Sequence, residues 1–233
     1  MIINPYKYPF IVLEGPDGCG KDTVVASLDA YCNERGINVA FTVEPTAGKY
    51  GREVRSVLGN KGMDASGRKL SSDEIQLLFV RDRLVHRLDE QEWLRSRPVF
   101  SNRDWESTCA YYRAFGGDIA DIVRMHEEEF DTAAGEFFVA DLTVIVDIEP
   151  AEAQRRQKEL FAKLGKEMDH FEDDIKKREN IREAYLALPG ILTKLDVPHN
   201  IKIVNGMQSK DQVFADVLAH IRAAFREKIG VKF

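Results

Sequence analysis

The sequence has few cysteines, and they follow no pattern of a metal site or a disulfide framework. The 233 residues include three cysteines, Cys19, Cys32 and Cys109, and none is in C-x-x-C spacing. An odd, scattered set predicts reduced thiols in a cytoplasmic protein. Cys19 lies among glycines. It is interpreted either as a small residue that fits a tight turn or as a redox-sensitive thiol. We expect no zinc site either, because zinc-ligand spacing is lacking between His86, His126 and His170.

The chain also lacks long apolar runs, low-complexity tracts, internal repeats and proline- or serine-rich linkers. No apolar stretch approaches the length of a membrane span, and the N-terminal region has no signal-peptide pattern, so we expect no membrane association. The missing linker favours one domain over residues 1–233. The net charge of −6 argues against non-specific nucleic-acid binding, because a basic surface supplies most of that affinity.

A glycine-rich turn between an apolar strand and a helix is the strongest feature that is present. The segment from Phe10 to Thr23 begins as a buried strand, turns through three glycines and enters a helical pattern at Lys21. Glycines let several backbone N–H groups point at phosphate oxygens, while the helix N-terminus and Lys21 add positive charge. The segment fits G-x-x-x-x-G-K-[ST] except at Asp22, which stands in place of a magnesium-binding hydroxyl.

Short apolar runs alternate with helical patterns along the rest of the chain, which predicts an α/β fold. We expect a mostly parallel, five-stranded sheet covered by helices on both faces. The penultimate helix is expected to end at Leu188. In such sheets ligands bind beyond the C-terminal ends of the strands, which indicates the loops after Leu13, Val43, Phe100 and Ile148.

Three groups of side chains near those strand ends each have two interpretations. Glu44-Pro45 follows the second strand, where the proline either holds part of a site rigid or only ends the strand. Phe79 and Arg83 share a helix face, where they either contact a planar ligand ring or form a core contact and a surface ion pair. Arg103 follows the third strand, where its planar guanidinium suits either a phosphate or a structural salt bridge.

A basic segment follows the most apolar strand of the chain. Its cations precede the segment Asp169 to Glu172 and are Arg155, Arg156, Lys158, Lys163 and Lys166. They belong either to an ordinary solvated helix face or to a mobile lid, at about residues 155–172, that closes over phosphates.

Together, and in this order, these motifs resemble the thymidylate kinase family. That family carries F-I-x-x-E-G-x-D-G-x-G-K-x-T, E-P, F-x-x-D-R, D-R-Y-x-x-S-x-x-A-Y and a basic lid ending in D-x-x-E. The matching segments, which span nearly the whole chain, are Phe10 to Thr23, Glu44-Pro45, Phe79 to Arg83, Asn102 to Tyr111, and Asp169 to Glu172. The resemblance implies a three-layer P-loop NTPase fold with a lid, ATP and Mg²⁺ as cofactors, and a homodimer through helices like the one carrying Phe79.

The resemblance also implies roles for the matching residues. ATP phosphates would be held by Gly15, Pro16, Asp17, Gly18, Cys19, Gly20, Lys21, Asp22 and Thr23. The acceptor nucleotide would contact Asp17, Glu44, Pro45, Phe79, Arg83, Arg103, Thr108 and Tyr111. In that set Phe79 would stack on thymine, Arg83 would bond to its edge, and Arg103 would bind the phosphate. The implied catalytic residues are Lys21, Arg103, Asp17 and one cation of the lid. The resemblance places the catalytic cation in the lid because the glycine loop contains no arginine. The candidates for it are Arg155, Arg156, Lys163 and Lys166.

Four positions depart from the family pattern. Asp22 replaces the hydroxyl, Asn102 the aspartate of D-R-Y, Asp104 its tyrosine, and Val43 the arginine of R-E-P. One carboxylate is lost at position 102 and one gained at position 22. We therefore expect Asp22 and Asn102 to bind the metal, because Mg²⁺ accepts carboxylate and hydroxyl oxygens alike. The alternative is that Asp22 repels the phosphates and weakens the kinase.

The expected reaction is transfer of the ATP γ-phosphoryl group to dTMP, which gives dTDP. Two other functions stay open. One is a kinase for another nucleotide, such as dUMP or a modified pyrimidine, which Asp104 favours. The other is a catalytically silent nucleotide-binding protein. The expected partners are dTMP, ATP and a second copy of the chain.

Overall fold

The centre of the computed structural model, which describes residues 1–133, 137–165, 174–231 and 233, is a parallel β-sheet. The strands are β1 (Ile2–Ile3), β2 (Phe10–Glu14), β3 (Ala40–Val43), β4 (Val99–Asn102), β5 (Phe138–Val139), β6 (Leu142–Asp147) and β7 (Ile201–Asn205). Five of these described strands form the sheet in the order β3-β4-β2-β6-β7, and all neighbours are parallel. This confirms the predicted α/β fold with a mostly parallel, five-stranded sheet.

The helices cover both faces of this sheet. They are α1 (Lys21–Glu34), α2 (Lys49–Gly59), α3 (Ser72–Leu94), α4 (Trp105–Ala114), α5 (Ile119–Thr132), α6 (Pro150–Leu164), α7 (Ile175–Lys194) and α8 (Lys210–Ile229). Alternate residues of β2 face opposite layers: Ile11 packs in a cluster with Leu28 of α1 and Ile221 of α8, whereas Phe10 packs with Leu94 of α3. Because β2 is buried on both faces, its residues Phe10 to Leu13 are all apolar.

The strand register brings the ends of three strands to one edge of the sheet. Leu13 of β2 lies opposite Asn102 of β4, and Glu14 lies opposite Ile145 of β6. Because the strands are parallel, the chain segments that follow β2, β4 and β6 leave the sheet at the same edge. The glycine loop and Arg103 are therefore neighbours although about ninety residues separate them in the sequence.

The start of α3 follows its sequence signal. The Ser71 hydroxyl accepts a hydrogen bond from the backbone N–H of Glu74 at 3.1 Å, and the Glu74 carboxylate accepts one from the N–H of Ser71 at 2.8 Å. Each side chain thus pairs one backbone N–H at the helix N-terminus that has no partner within the helix. The spacing of Ser71 and Glu74 in the sequence is the usual signal of such a helix start.

The predicted end of α7 at Leu188 was wrong. The helix continues through Pro189 to Lys194, although proline removes one hydrogen bond of the helix ladder. Leu188 and Leu192 lie one turn apart on the same face, and both are fully buried. Burial of these two side chains favours the longer helix over an end at the proline.

A small second sheet connects the N-terminus to the segment before β6. β1 pairs in parallel with β5, with Ile2 opposite Phe138 and Ile3 opposite Val139. Two-residue strands are too short to have a periodic sequence signal, so this sheet was not predicted. No helix in the described part of the chain is long and apolar enough to cross a membrane.

Candidate active site

The glycine loop is packed so tightly against β6 and α6 that two of its glycines admit no side chain. Gly15 has φ +138°, and a Cβ there would lie 2.6 Å from the carbonyl oxygen of Val146. Gly18 has φ +86°, and its Cβ would lie 2.4 Å from the carbonyl oxygen of Ala153. The loop therefore keeps its shape through positive φ angles and backbone contacts that glycine allows.

Of the other loop residues, Pro16, Cys19 and Lys21 are buried, whereas Asp22 and Thr23 are exposed in the first turn of α1. Burial raises the pKa of the Cys19 thiol, which disfavours the reactive thiolate. This supports the interpretation of Cys19 as a small residue that fits a tight loop.

Asp17 is the point at which cations from two elements meet. Its Oδ1 lies 3.5 Å from Nζ of Lys21 and forms an ion pair with Nη2 of Arg103. Its Oδ2 accepts a hydrogen bond from the Tyr111 hydroxyl at 3.2 Å. Partial desolvation would raise the pKa of Asp17, but the charges of Arg103 and Lys21 outweigh it and hold that pKa below its usual value. The carboxylate is therefore ionised at neutral pH.

Arg103 is held in a conformation that a non-glycine residue seldom adopts. Its φ is +75°, its N–H donates to Leu13 O at 3.0 Å, and its carbonyl accepts from the Ser101 hydroxyl at 2.6 Å. Nη1 donates to Ser107 Oγ at 2.8 Å and to the Tyr185 hydroxyl at 3.2 Å. Such backbone strain persists where surrounding contacts fix the residue, and it is common in functional sites.

Glu14, at the end of β2, connects the loop to α4 and α7. Its Oε1 accepts hydrogen bonds from the backbone N–H groups of Asp104 at 2.8 Å and Ser107 at 3.1 Å. Its Oε2 accepts from the Ser107 hydroxyl at 2.7 Å and the Tyr185 hydroxyl at 2.8 Å. Sequence reasoning gave Glu14 and Tyr185 no role. Glu14 stands inside the glycine motif, but Tyr185 is 171 residues away and had no signal.

Asp22 and Asn102 are in direct contact. Nδ2 of Asn102 donates a hydrogen bond to Oδ1 of Asp22 at 2.7 Å. Oδ1 of Asn102 is buried and has no hydrogen-bond partner among the described residues. Two oxygen-bearing side chains thus meet beside the glycine loop, one anionic and one with an unused acceptor.

A buried ionic cluster joins β3, α3 and α4. Arg83 pairs with Glu44 at 2.6 Å and with Asp104 at 2.8 Å, and Arg87 pairs with Asp104 at 2.7 Å and with Glu90. All five side chains are at most 4% exposed. Removing one member of such a buried pair leaves an uncompensated charge, which costs about 3–5 kcal/mol.

The remaining contacts of Arg83 involve His126 and Thr108. Nη1 of Arg83 lies 2.7 Å from Nε2 of His126, and Nη2 donates to Thr108 Oγ1 at 3.3 Å. Burial and the positive charge of Arg83 lower the pKa of His126 to about 3, so the ring is neutral and Nε2 accepts the hydrogen bond. Within the described residues, these contacts and the ion pairs use four of the five guanidinium N–H groups of Arg83.

Phe79 lies one turn before Arg83 and packs beside Tyr50 and Ile75 against a small apolar cluster. The neighbouring Asp82 accepts hydrogen bonds from the N–H and the hydroxyl of Thr46, both at 2.6 Å. Asp82 therefore fixes the segment that begins with Glu44 and Pro45. Sequence reasoning gave Asp82 no role.

The basic segment places one of its two arginines near the glycine loop. Nη1 of Arg156 lies 3.9 Å from the point at which a side chain on Gly20 would begin. Arg155 is exposed and is paired with Glu152 and Glu159 on its own helix. Lys163 is exposed near the end of α6, and Lys166, Asp169 and Glu172 lie outside the described residues.

A further arginine that sequence reasoning did not select reaches the loop from α7. Nη1 of Arg178 donates to the carbonyl oxygen of Asp17 at 3.3 Å, and Nη2 donates to Gln157 of α6 at 2.5 Å. Arg178 thus connects α6 and α7 to the glycine loop.

This fold and this site define a class of protein. A glycine loop at the end of the central strand, a buried lysine at the start of the next helix and converging arginines characterise a P-loop phosphotransferase. The model of the thymidylate kinase family matches residues 13–217. The chain belongs to the thymidylate kinase family.

Curated relatives support this membership over nearly the whole length. The chain is 29% identical to a thymidylate kinase of Desulfotalea psychrophila over 94% of this chain and 96% of that protein. It is 33% identical to a probable thymidylate kinase of Methanococcus maripaludis, over 90% of this chain and 92% of that protein. A probable thymidylate kinase of Thermococcus gammatolerans is 28% identical, over 90% and 93%.

Proposed function

We propose that this protein is an ATP-dependent nucleoside monophosphate kinase that transfers the γ-phosphoryl group of ATP to dTMP and gives dTDP. The observation that carries this proposal is the convergence of Lys21 and Arg103 at Asp17. One cation comes from the helix after the glycine loop and the other from the exit of β4. The donor and acceptor phosphates would meet between these two cations, and the cations would offset the negative charge of the phosphates during transfer.

The donor phosphates bind in the glycine loop. Backbone N–H groups of the segment Gly15 to Gly20 and the N-terminus of α1 supply hydrogen bonds and positive potential, and Lys21 adds a full charge. Lys21 is only 6% exposed, so little water screens it.

The residues beside the loop fit a magnesium ion. Asp22 offers a carboxylate and Asn102 an amide oxygen that lacks a partner among the described residues, and Mg²⁺ binds oxygen ligands. Bound Mg²⁺ would neutralise charge on the transferred phosphoryl group. Because Asn102 donates to Asp22, the amide also tempers the negative charge of Asp22 next to the phosphates.

The acceptor phosphate replaces Asp17 as the partner of Arg103. A guanidinium binds phosphate oxygens in a bidentate manner, and the contacts of Arg103 with Ser107 and Tyr185 fix its plane. A phosphate oxygen is already a competent nucleophile, so transfer depends on position and charge and needs no strong general base.

The nucleoside lies along α3 and α4. Tyr111 and Thr108 are three residues apart and therefore share one face of α4. Along this face Tyr111 contacts Asp17 and Thr108 contacts Arg83. Phe79 supplies an apolar surface for the base. The one N–H of Arg83 not used by the described contacts is the group proposed to bond to the edge of the base.

Of the lid cations, Arg156 is proposed as the catalytic one. Its guanidinium lies beside the glycine loop, where it offsets charge that develops on the transferred group. Both arginines pair with Glu152 of α6, Arg156 at 2.8 Å, but Arg155 also pairs with Glu159 and is the more exposed of the two, at 56% of its side chain against 31%.

The decisive experiment measures ATP/Mg²⁺-dependent turnover of dTMP, dUMP, dGMP and thymidine in a coupled assay. We expect the highest kcat/KM for dTMP, and for Lys21→Met a loss of about 10²–10³-fold in kcat. A preference for dUMP would identify a different acceptor. ATP or dTMP binding without diphosphate formation would identify a silent nucleotide-binding protein and contradict the proposal.

The proposed assembly is a homodimer through α3, in the cytoplasm. Val85 and Leu88 are three residues apart on this helix and are 52% and 65% exposed. A second copy would remove both side chains from water. The cytoplasmic assignment is consistent with Cys19, Cys32 and Cys109 being free thiols.

The test of this dimer is the mass of the protein in solution by light scattering. We expect wild type to be dimeric and Leu88→Asp monomeric, because a carboxylate would be buried without a partner. Met207→Asp, an equally large change at a side chain that is 48% exposed outside α3, is the matched control and should stay dimeric. A monomeric wild type would contradict the proposed assembly.

A further inference from the structure

His86 and two carboxylates of the buried ionic cluster direct ligand atoms at one point. These atoms are Oε1 of Glu44 at the end of β3, and Nδ1 of His86 and Oε1 of Glu90 on α3, and all three lie within 4.8 Å of one another. The side chains of the three residues are 0–4% exposed. Oε1 of Glu90 is fully buried and has no hydrogen-bond partner among the described residues.

We propose that Glu44, His86 and Glu90 form a binding site for one divalent transition-metal cation of the zinc type. Nδ1 of His86 lies 3.3 Å from the Glu44 oxygen and 3.7 Å from the Glu90 oxygen. The first separation is that of a long hydrogen bond, whereas the second exceeds hydrogen-bond length. They match ligands on a shared ion, because tetrahedral ligands about 2.0–2.2 Å from zinc lie roughly 3.3–3.6 Å from each other.

Each ligand is held from behind by a second group, as is usual in metal sites. Oε2 of Glu44 accepts from Arg83 at 2.6 Å, and Oε2 of Glu90 accepts from Arg87. Nε2 of His86 lies 2.7 Å from the Thr42 hydroxyl, which leaves Nδ1 as the ring atom that faces both carboxylates. The two Oε2 atoms are thus occupied, and the two Oε1 atoms point into the site.

The charge of the cluster also favours a cation. Three buried carboxylates, those of Glu44, Glu90 and Asp104, face two guanidinium groups, those of Arg83 and Arg87. With His86 neutral, the excess is one negative charge among buried side chains, and a bound cation offsets it. A mixed imidazole and carboxylate set suits Zn²⁺ or Co²⁺ better than Mg²⁺, which prefers oxygen ligands and retains waters.

The site has no sequence signal of the usual kind, which is why none was expected. His86 and Glu90 are one helical turn apart, but the third ligand is 42 residues before His86 and reaches α3 only through the packing of β3. A cation here would join β3 to α3, behind Arg83. The binding site is separate from the Asp22 and Asn102 pair proposed for magnesium.

The test uses full-length protein stripped with a chelator and then titrated with Zn²⁺ or Co²⁺, in excess Mg²⁺ and without nucleotide. We expect one equivalent of Zn²⁺ per chain by elemental analysis and a tetrahedral absorption spectrum for Co²⁺. Glu90→Gln and His86→Gln should each weaken Zn²⁺ binding at least 10²-fold. The exposed Asp89→Asn on the same helix is the matched control and should bind as wild type does.

Stoichiometric binding that Glu90→Gln and His86→Gln leave unchanged would overturn the assignment, and so would a wild type that takes up no Zn²⁺. If the variants do not fold, the ring ¹⁵N signals of His86 in the wild type decide. We expect Zn²⁺ to shift the ¹⁵N signal of Nδ1 of His86. A signal typical of an imidazolium ring that does not change with Zn²⁺ would instead show a proton on Nδ1, at the proposed position of the cation, and would contradict the proposal. Because no nucleotide is present, these outcomes do not depend on kinase activity.

Discussion

The amide of Asn102 donates a hydrogen bond to the carboxylate of Asp22, 2.7 Å away and 80 residues earlier in the chain. These are the positions at which the sequence departs from the family pattern around the proposed metal. Their contact means that the two departures act on one volume beside the glycine loop. A change at one residue therefore alters the environment of the other.

We expect Asp22→Thr and Asn102→Asp each to reduce kcat/KM, and the double variant to recover part of the loss. The first change removes the only described carboxylate of this pair, and the second places two carboxylates in contact, whereas the double variant again contains one. The measurement is a double-mutant cycle over a Mg²⁺ titration, with coupling above about 0.5 kcal/mol expected for residues in contact. Additive effects with fully active single variants would contradict a shared role. Asp29→Asn, an exposed change elsewhere on α1, is the control.

The two adjacent arginines of α6 should differ sharply in their effect on turnover. Arg156→Ala should lower kcat by about 10²–10³-fold, because it removes a charge beside the glycine loop. Arg155→Ala should change kcat less than about threefold, since it removes only an exposed helix ion pair. Single-turnover kinetics with saturating ATP and dTMP distinguish the two variants, and equal losses would reject the assignment of Arg156.

Replacing Glu14 by glutamine should destabilise the protein and lower activity together. Glu14 accepts hydrogen bonds from three backbone N–H groups and two hydroxyl groups, and a glutamine would turn an NH₂ group towards some of these donors. We expect a loss of about 1–3 kcal/mol in the free energy of unfolding, measured with urea. Glu34→Gln, at an exposed surface pair, should change it by less than about 0.5 kcal/mol. Equal stability of the two variants would contradict the role given to Glu14.

Glu106 should make the protein less stable as the pH rises. Burial, together with the negative charges of Asp104 and Glu14, raises the pKa of Glu106 to about 8. Between an unfolded pKa near 4.5 and this folded pKa the native state binds more protons, so this stabilisation is complete below about pH 4.5 and is lost as the pH rises through about 8. The slope is at most about 1.4 kcal/mol per pH unit.

Glu106→Gln tests this, because a glutamine keeps an acceptor for the Thr143 hydroxyl and cannot lose a proton. Urea unfolding from pH 5 to 9 should show that the variant gains stability relative to wild type as the pH increases. Glu227→Gln on the exposed face of α8 is the matched control and should follow the wild-type curve. A difference between Glu106→Gln and wild type that does not change with pH would show that Glu106 ionises normally.

The sequence by itself determined the sheet, the glycine loop and the order of the motifs, because these depend on local features. A buried parallel strand must be apolar, a phosphate-binding turn needs glycine, and the start of α3 needs Ser71 and Glu74 three residues apart. The end of α7 could not be predicted from local sequence features. Pro189 is a local signal for a helix end, whereas the burial of Leu192 that extends the helix depends on distant elements.

Only the tertiary structure decided how side chains far apart in the chain combine. Tyr185 reaches Glu14, Asn102 reaches Asp22, and His86 meets Glu44, each across 42 to 171 residues. No sequence spacing encodes these contacts, because they arise when parallel strands bring several loops to one edge of the sheet and helices pack across it. The same packing separates Arg156, beside the glycine loop, from its neighbour Arg155, which faces solvent. The sequence alone treated these two arginines as equivalent.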